Sequence, residues 1–400
     1  MEHLNYVRVG TSYLKISHKP LSSGDTMKIL LPWNIETITR DHGKDIAAKI
    51  PKYDGWCIVP EHINYQKEIR GYLNRYEEIS HKPQSGTCHE TKNFLKHIFG
   101  EQYELGLDYI QLLYHRPTQV LPVLCLVSKE RESGKTTFLN YLKLIFEGNM
   151  TYNSNSDFRS NFNIDWLNKL IIAVDEVLLD RKEDSERIKN LSTARSFKAE
   201  AKGQDKFEVE FFGKFILCSN NEENFIIIDP LEIRYWVRKI SPIPTKDPYL
   251  LTKLKEEIPF FLQFLCSRVL TTSNKTRMWF TAEQISTAAL RKIKSQFVNK
   301  VELELYEIIK GIMESKEIDE LCFTNSNIKN LLERSGFRIS RTGVRNIIEG
   351  NWQLKQHPNA SNYTCYQYDM SGFLLEHQEK GRYYRISKTE LNEIFVALLT

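Results

Sequence analysis

Ser133-Gly134-Lys135-Thr136-Thr137 sets a glycine, a primary amine and three hydroxyls in consecutive positions. Such a run can hold a polyphosphate: Lys135 reaches the β- and γ-phosphates and the Thr136 hydroxyl ligates Mg²⁺. Downstream, the apolar run Leu170 to Val174 ends in Asp175-Glu176. Asp175 suits a metal's water shell, and Glu176 suits orienting and deprotonating an attacking water. A third run, Lys214 to Ser219, ends in Asn220-Asn221. The Asn220 carboxamide can sense a terminal phosphate and help place that water. Arg234 stands between Ile233 and the aromatic pair Tyr235-Trp236, and its guanidinium can stabilise phosphoryl charge in a neighbouring subunit. The chemistry these groups share is hydrolysis of ATP with Mg²⁺.

Specific elements must position them. Leu124 to Val127 is an apolar segment of strand length, and Phe138, Leu139, Leu142, Ile145 and Phe146 recur at helical spacing after the loop. Strand, loop and helix give the backbone N–H groups and the positive helix end to the phosphates. The loop departs from the usual pattern. Lys129 stands where a first glycine is expected, and Glu130 and Glu132 lie in a segment that must accept an anion, so both must point outward. Continuous apolar runs suit strands buried on both faces of a parallel sheet, and such sheets take ligands at the carboxyl ends of their strands. The sequence therefore predicts Lys135, Asp175, Glu176 and Asn220 at one rim.

Between Glu176 and Asn220, the segment 197–211 reads as a hairpin: a polar strand, a Lys202-Gly203-Gln204-Asp205 turn, then alternating Phe207, Val209 and Phe211. A hairpin ahead of the third strand resembles superfamily 3 helicases, AAA+ motors of viruses, phages and plasmids. Gly134-Lys135-Thr136 matches their motif A, Asp175-Glu176 motif B, Lys202-Gly203 motif B′, Asn220 motif C and Arg234 the arginine finger. Leu121 to Glu130 and Leu107 to His115 are similar to the primase–helicase branch of phages and bacterial mobile elements. The resemblance covers residues about 85 to 240. It implies a homo-oligomeric ring, a hexamer, that hydrolyses ATP between subunits. That ring moves single-stranded DNA with the hairpin lysine Lys202, flanked by Lys198 and Lys206. Many relatives carry two arginines at the finger; Ile233 precedes Arg234 here, which leaves Arg238 as a rival.

The expected fold is α/β: a P-loop AAA+ type parallel-sheet core over residues 76–270, after a strand-rich accessory region over 1–75. A winged-helix-like domain follows over 271–400. In that last part Thr324 and Ser340 cap two helices, strands are expected at 363–368 and 381–386, and Arg341 and Arg345 head a basic face suited to forked DNA. Residues 1–75 lack a polymerase carboxylate constellation, so a separate primase or a longer relative would supply priming. The 400 residues are 41% hydrophobic and 26% charged with a net charge of +4. That is the balance of a globular protein rather than a polycation, so DNA contacts must be local and salt-sensitive. A run of 18 apolar residues and a secretory leader are both lacking, and seven scattered cysteines suggest reduced thiols. The expected setting is the cytoplasm of a bacterial host. The histidines show no metal spacing. The alternative function is a nucleotide-gated initiator or regulator that binds DNA without motor action.

Overall fold

Alternating apolar residues open the chain. β1 (Tyr6–Val9) and β2 (Ser12–Pro20) pair antiparallel around Gly10, which has a φ of +56°. β3 (Thr26–Pro32) pairs with β2, α1 (Ile35–His42) and α2 (Ile46–Lys49) follow, and β4 (Lys52–Tyr53) completes the order β3-β2-β1-β4. Val7, Val9, Leu14 and Tyr53 bury one face, and Ile38, Ile46 and Ile50 pack around Tyr6. β5 (Gly55–Cys57), β6 (Glu68–Ile69) and β7 (Tyr72–Asn74) form a second small sheet. This computed structural model describes residues 5–20, 26–157, 166, 168–179, 181–199, 207–228, 232–369 and 372–399.

His62 locks this region to the next. Its Nδ1–H donates to the Tyr114 carbonyl at 2.7 Å, its Nε2 accepts from the Tyr76 hydroxyl at 2.6 Å, and its ring stacks on Tyr114. That pattern requires the neutral ring, and burial lowers its pKa from 6.5 to about 4. A depressed imidazole pKa means the unfolded chain binds the extra proton first. The stabilisation is therefore complete above about pH 6.5 and lost as pH falls towards 4, about 3 kcal/mol in all. Urea unfolding of the parent should show this loss between pH 7 and 4.5, and His62→Asn should flatten it.

The central unit begins with α3 (His89–Phe99) and α4 (Tyr103–His115), the latter ending before Pro117 as the sequence indicates. Then come β8 (Val123–Val127), α5 (Lys135–Phe146), β9 (Met150–Tyr152), β10 (Ile171–Val174), α6 (Lys182–Leu191), β11 (Ser196–Ala199), β12 (Phe207–Glu210), β13 (Lys214–Ser219) and β14 (Tyr235–Lys239). β8, β9, β10, β13 and β14 form one parallel sheet of order β14-β8-β13-β10-β9. Their side chains alternate between two cores. Leu124, Leu126, Ile216 and Trp236 pack with α3, α4 and α5 on one face; Val123, Val127, Ile172, Leu217 and Val237 pack with Ile188 and Leu191 of α6 on the other. Each such fully buried aliphatic contributes roughly 1.5–3 kcal/mol. The expected hairpin is present as β11 against β12, with Lys198 opposite Glu208; Lys202 and Lys206 lie outside the described residues.

α7 (Leu250–Glu256), α8 (Ile258–Ser267) and α9 (Ala288–Ser315) lead into the last unit. It holds β15 (Glu320–Phe323), α10 (Asn325–Arg334), α11 (Arg341–Arg345) prolonged by a wider-turned helix Asn346–Asn351, β16 (Ser361–Tyr368), β17 (Leu374–Gly381), β18 (Tyr384–Ser387) and α12 (Lys388–Leu399). Thr324 and Asn327 form a reciprocal capping box, and Ser340 accepts from the Gly343 N–H at 3.0 Å, as the helix-start signals predict. β16 and β18 lie where the two strands of this unit are expected; β18 pairs with β15, and β16 pairs with β17, whose run Glu376 to Lys380 is polar because it is largely exposed. α9 runs from the cores of the parallel sheet into the C-terminal core. Trp279, Phe280 and Ile285 belong to the sheet's first core, Leu290 and Ile293 to its second, and Phe297 onward to the C-terminal core. Among the described residues no helix is long and apolar enough to cross a membrane.

Candidate nucleotide-binding site

The registers define one rim. Val127 of β8 lies level with Ser219 of β13 and Lys239 of β14, and Val174 of β10 lies level with Leu217. The loop after β8, Asp175-Glu176 after β10 and Asn220 after β13 therefore leave the sheet at the same carboxyl edge.

The loop 128–134 is shaped by contacts that a helix start needs. Ser128 donates its N–H to the Ser219 carbonyl at 3.2 Å and its hydroxyl to the Glu130 carbonyl at 3.0 Å. The Glu132 carbonyl accepts from Ile243 N–H, and the Ser133 carbonyl lies 3.1 Å from His97 Nε2. Gly134 has a φ of +89°, a backbone that favours glycine, and a Cβ there would press on Ile243 and Phe94 at 3.2 Å. α5 starts at once, and its first N–H groups lack intrahelical acceptors. The acids do point outward: Glu130 is exposed and Glu132 pairs with Lys246.

Lys135 is buried with its Nζ 3.0 Å from Ser133 Oγ. Burial lowers the pKa of its amine, while Asp175 and Glu222 pull it back towards the charged form. The Thr136 hydroxyl donates to Asp175 Oδ2 at 2.8 Å, and Thr137 stands beside it in the first turn of α5. Glu176 is exposed with a φ of +58°, a left-handed backbone uncommon for its type, and its N–H donates to Asp175 Oδ1 at 3.1 Å. Asn155, past β9, accepts from Leu178 N–H at 3.0 Å and so braces that turn. Lys135 thus contacts Ser133 and Thr136 contacts Asp175, with Glu176 and Asn220 exposed on the same rim.

Thr136 Oγ1 and the Asp175 carboxylate are hard oxygen donors 2.8 Å apart, a set that fits Mg²⁺. Among the described residues no cluster of three or more His, Cys, Asp or Glu could hold a metal. A magnesium ion here would take its other ligands from water and phosphate, which is its usual preference.

The other expected residues lie elsewhere. Arg234 precedes β14 at the amino edge, and the five residues from Tyr235 to Lys239 separate it from the rim by about 16 Å. Its guanidinium grips both carboxylate oxygens of Glu232, at 2.9 and 2.8 Å. Arg238, the rival, is buried and held by Glu101 and Gln102. Lys198 is exposed on β11. Arg341 and Arg345 are exposed at the two ends of α11, with Arg345 Nε donating to Glu349 at 2.7 Å.

Sequence reasoning missed Glu222. Its side chain is buried; Oε1 accepts the Lys129 N–H at 3.0 Å and Oε2 accepts from Lys239 Nζ at 2.9 Å. Burial raises its carboxyl pKa, but Lys239 and the Lys129 N–H outweigh that and the net shift is downward. The available signal was an acid directly after the Asn pair.

Residues 126–234 match a family of unknown function, DUF5906. The DNA primase-polymerase of Nitratiruptor phage NrS-1 is 24% identical over 226 residues, which is 54% of this chain and 31% of that protein. The chain thus spans under a third of the length of this curated relative. Among solved structures, the apo C-terminal region of NrS-1 aligns with a TM-score of 0.59 at 16% identity, covering 95% of this chain and 96% of that one. The A form of the same region gives 0.56 at 16% identity, covering 95% of each chain. The chain shares the fold of that region over nearly its whole length.

Proposed function

We propose that this chain is an ATP-driven DNA helicase of the superfamily 3 (AAA+) type, acting in the replication of a phage or mobile element. The observation that carries the reading is the contact of Thr136 with Asp175 beside a buried Lys135, at the carboxyl rim of a parallel sheet. The likeness to a phage primase-polymerase supports the replication setting.

In this mechanism the triphosphate lies across the start of α5, where N–H groups and the helix dipole meet its charge. Lys135 donates to the β- and γ-phosphate oxygens. Thr136 and Asp175 would hold Mg²⁺, which when bound offsets phosphate charge. Glu176 orients a water and accepts its proton, and Asn220 holds the terminal phosphate against that water. Arg234 is too far to serve its own subunit and suits a neighbour in a head-to-tail ring, a hexamer by resemblance. The β11–β12 hairpin, with Lys198, Lys202 and Lys206, tracks the single strand. Arg341 and Arg345 on the winged-helix-like unit meet forked DNA.

Hydrolysis should rise when single-stranded DNA is added, and light scattering should report a ring-sized assembly. The parent should unwind forked DNA, whereas Lys202→Ala should bind ATP normally and unwind nothing. Hydrolysis indifferent to DNA would remove the motor reading and leave a nucleotide-gated DNA-binding regulator.

A further inference from the structure

Resting on the nucleotide reading above, we infer that Glu222 is a positioning residue. It fixes the opening of the phosphate loop in place of the glycine this chain lacks, and couples that opening to the strand tip bearing Asn220. Lys129 occupies the glycine's place without a left-handed backbone; in this loop only Glu132 and Gly134 adopt one. Conformational freedom therefore does not set the first loop position. Glu222 does, by taking the Lys129 N–H across 93 residues of sequence.

A carboxylate buried at the edge of an anion site is costly unless it is fully compensated. Here the Lys129 N–H and the Lys239 ammonium compensate it, and both lie on strands or loops that flank the site. The link to Asn220 is short and stiff. Asn221 N–H donates to Ser219 Oγ at 3.1 Å, and Asn221 Oδ1 accepts from the N–H groups of Glu223 and Asn224 at 3.0 and 2.8 Å. Any shift of Asn220 with the terminal phosphate therefore reaches Lys129.

Electrostatics and positioning predict opposite signs. If Glu222 acted only through its charge, deleting it would relieve repulsion, free Lys129 and Lys239, and tighten nucleotide binding. If it positions the loop, losing the acceptor weakens binding, while glutamine, which keeps an acceptor for the Lys129 N–H, restores it.

The test is equilibrium binding of fluorescent ADP and of AMP-PNP to the full chain, with Lys135→Ala as the negative control and circular dichroism melting as the folding control. Glu222→Ala should bind about tenfold more weakly and lose most of the preference between AMP-PNP and ADP. Glu222→Gln should stay within about twofold of the parent. Should Glu222→Ala not fold, Glu222→Met, of similar length and without an acceptor, takes its place. Parent-like or tighter binding by the acceptor-free variant, or equal weakening by the glutamine variant, overturns the assignment while leaving the nucleotide reading intact. A parent that binds neither nucleotide overturns both.

Discussion

Lys135→Ala is expected to lower ATP hydrolysis at least about a hundredfold and to abolish measurable nucleotide binding. The amine is buried, it lies 3.0 Å from Ser133 Oγ, and it shares its surroundings with Asp175. Lys129, the nearby alternative in sequence, is largely exposed and faces Glu223 at 3.9 Å. A loss of activity through unfolding would look different. Burial disfavours the Lys135 charge, so alanine removes a desolvated cation and should leave the melting midpoint unchanged or raised. Hydrolysis at the parental rate, with the fold intact, would end the phosphate-loop assignment.

Arg234→Ala should lower hydrolysis about a thousandfold while sparing nucleotide binding, the range associated with supplied arginines in phosphoryl transfer. Its position at the amino edge makes the effect testable in trans. Each of the two dead variants keeps what the other lacks. In an equal mixture of Arg234→Ala and Lys135→Ala, about a quarter of head-to-tail interfaces join an intact Lys135 to an intact Arg234. Activity should recover to about a quarter of the parental rate. The fold should tolerate the change, because Glu232 keeps Lys189 at 3.2 Å. A mixture that stays inactive would show that Arg234 does not act across subunits.

Much of this arrangement was legible in the sequence for a plain reason. β8, β10 and β13 are buried on both faces, so their burial is written as unbroken apolar runs, and the polar residues that end them mark the rim. Thr324 and Ser340 announced their helices because capping is a local interaction. What stayed hidden is non-local or exposed. Arg234 reads as another strand-end residue until the parallel register puts it at the amino edge. Glu222 looks like a turn acid until its partner 93 residues away is known. Asp108 interrupts an apolar helix, and only the fold shows the Thr271 and Thr272 groups and Arg268 that satisfy it. Trp279 and Phe280 follow a polar stretch, and only the fold shows that they join the sheet's first core.

α9 is a beam with its foot against the parallel sheet. Its cap Thr287 donates to the Val237 carbonyl of β14 at 2.5 Å. Lys292 meets Glu223 at 2.5 Å and Lys300 meets Asn224 at 3.0 Å, both on the loop that follows Asn220. Its 28 residues span about 42 Å. A tilt of about 5° at the foot would swing the far end by about 4 Å, so under the proposed function this one helix would turn ångström-scale changes at the rim into displacements comparable to the spacing of stacked bases.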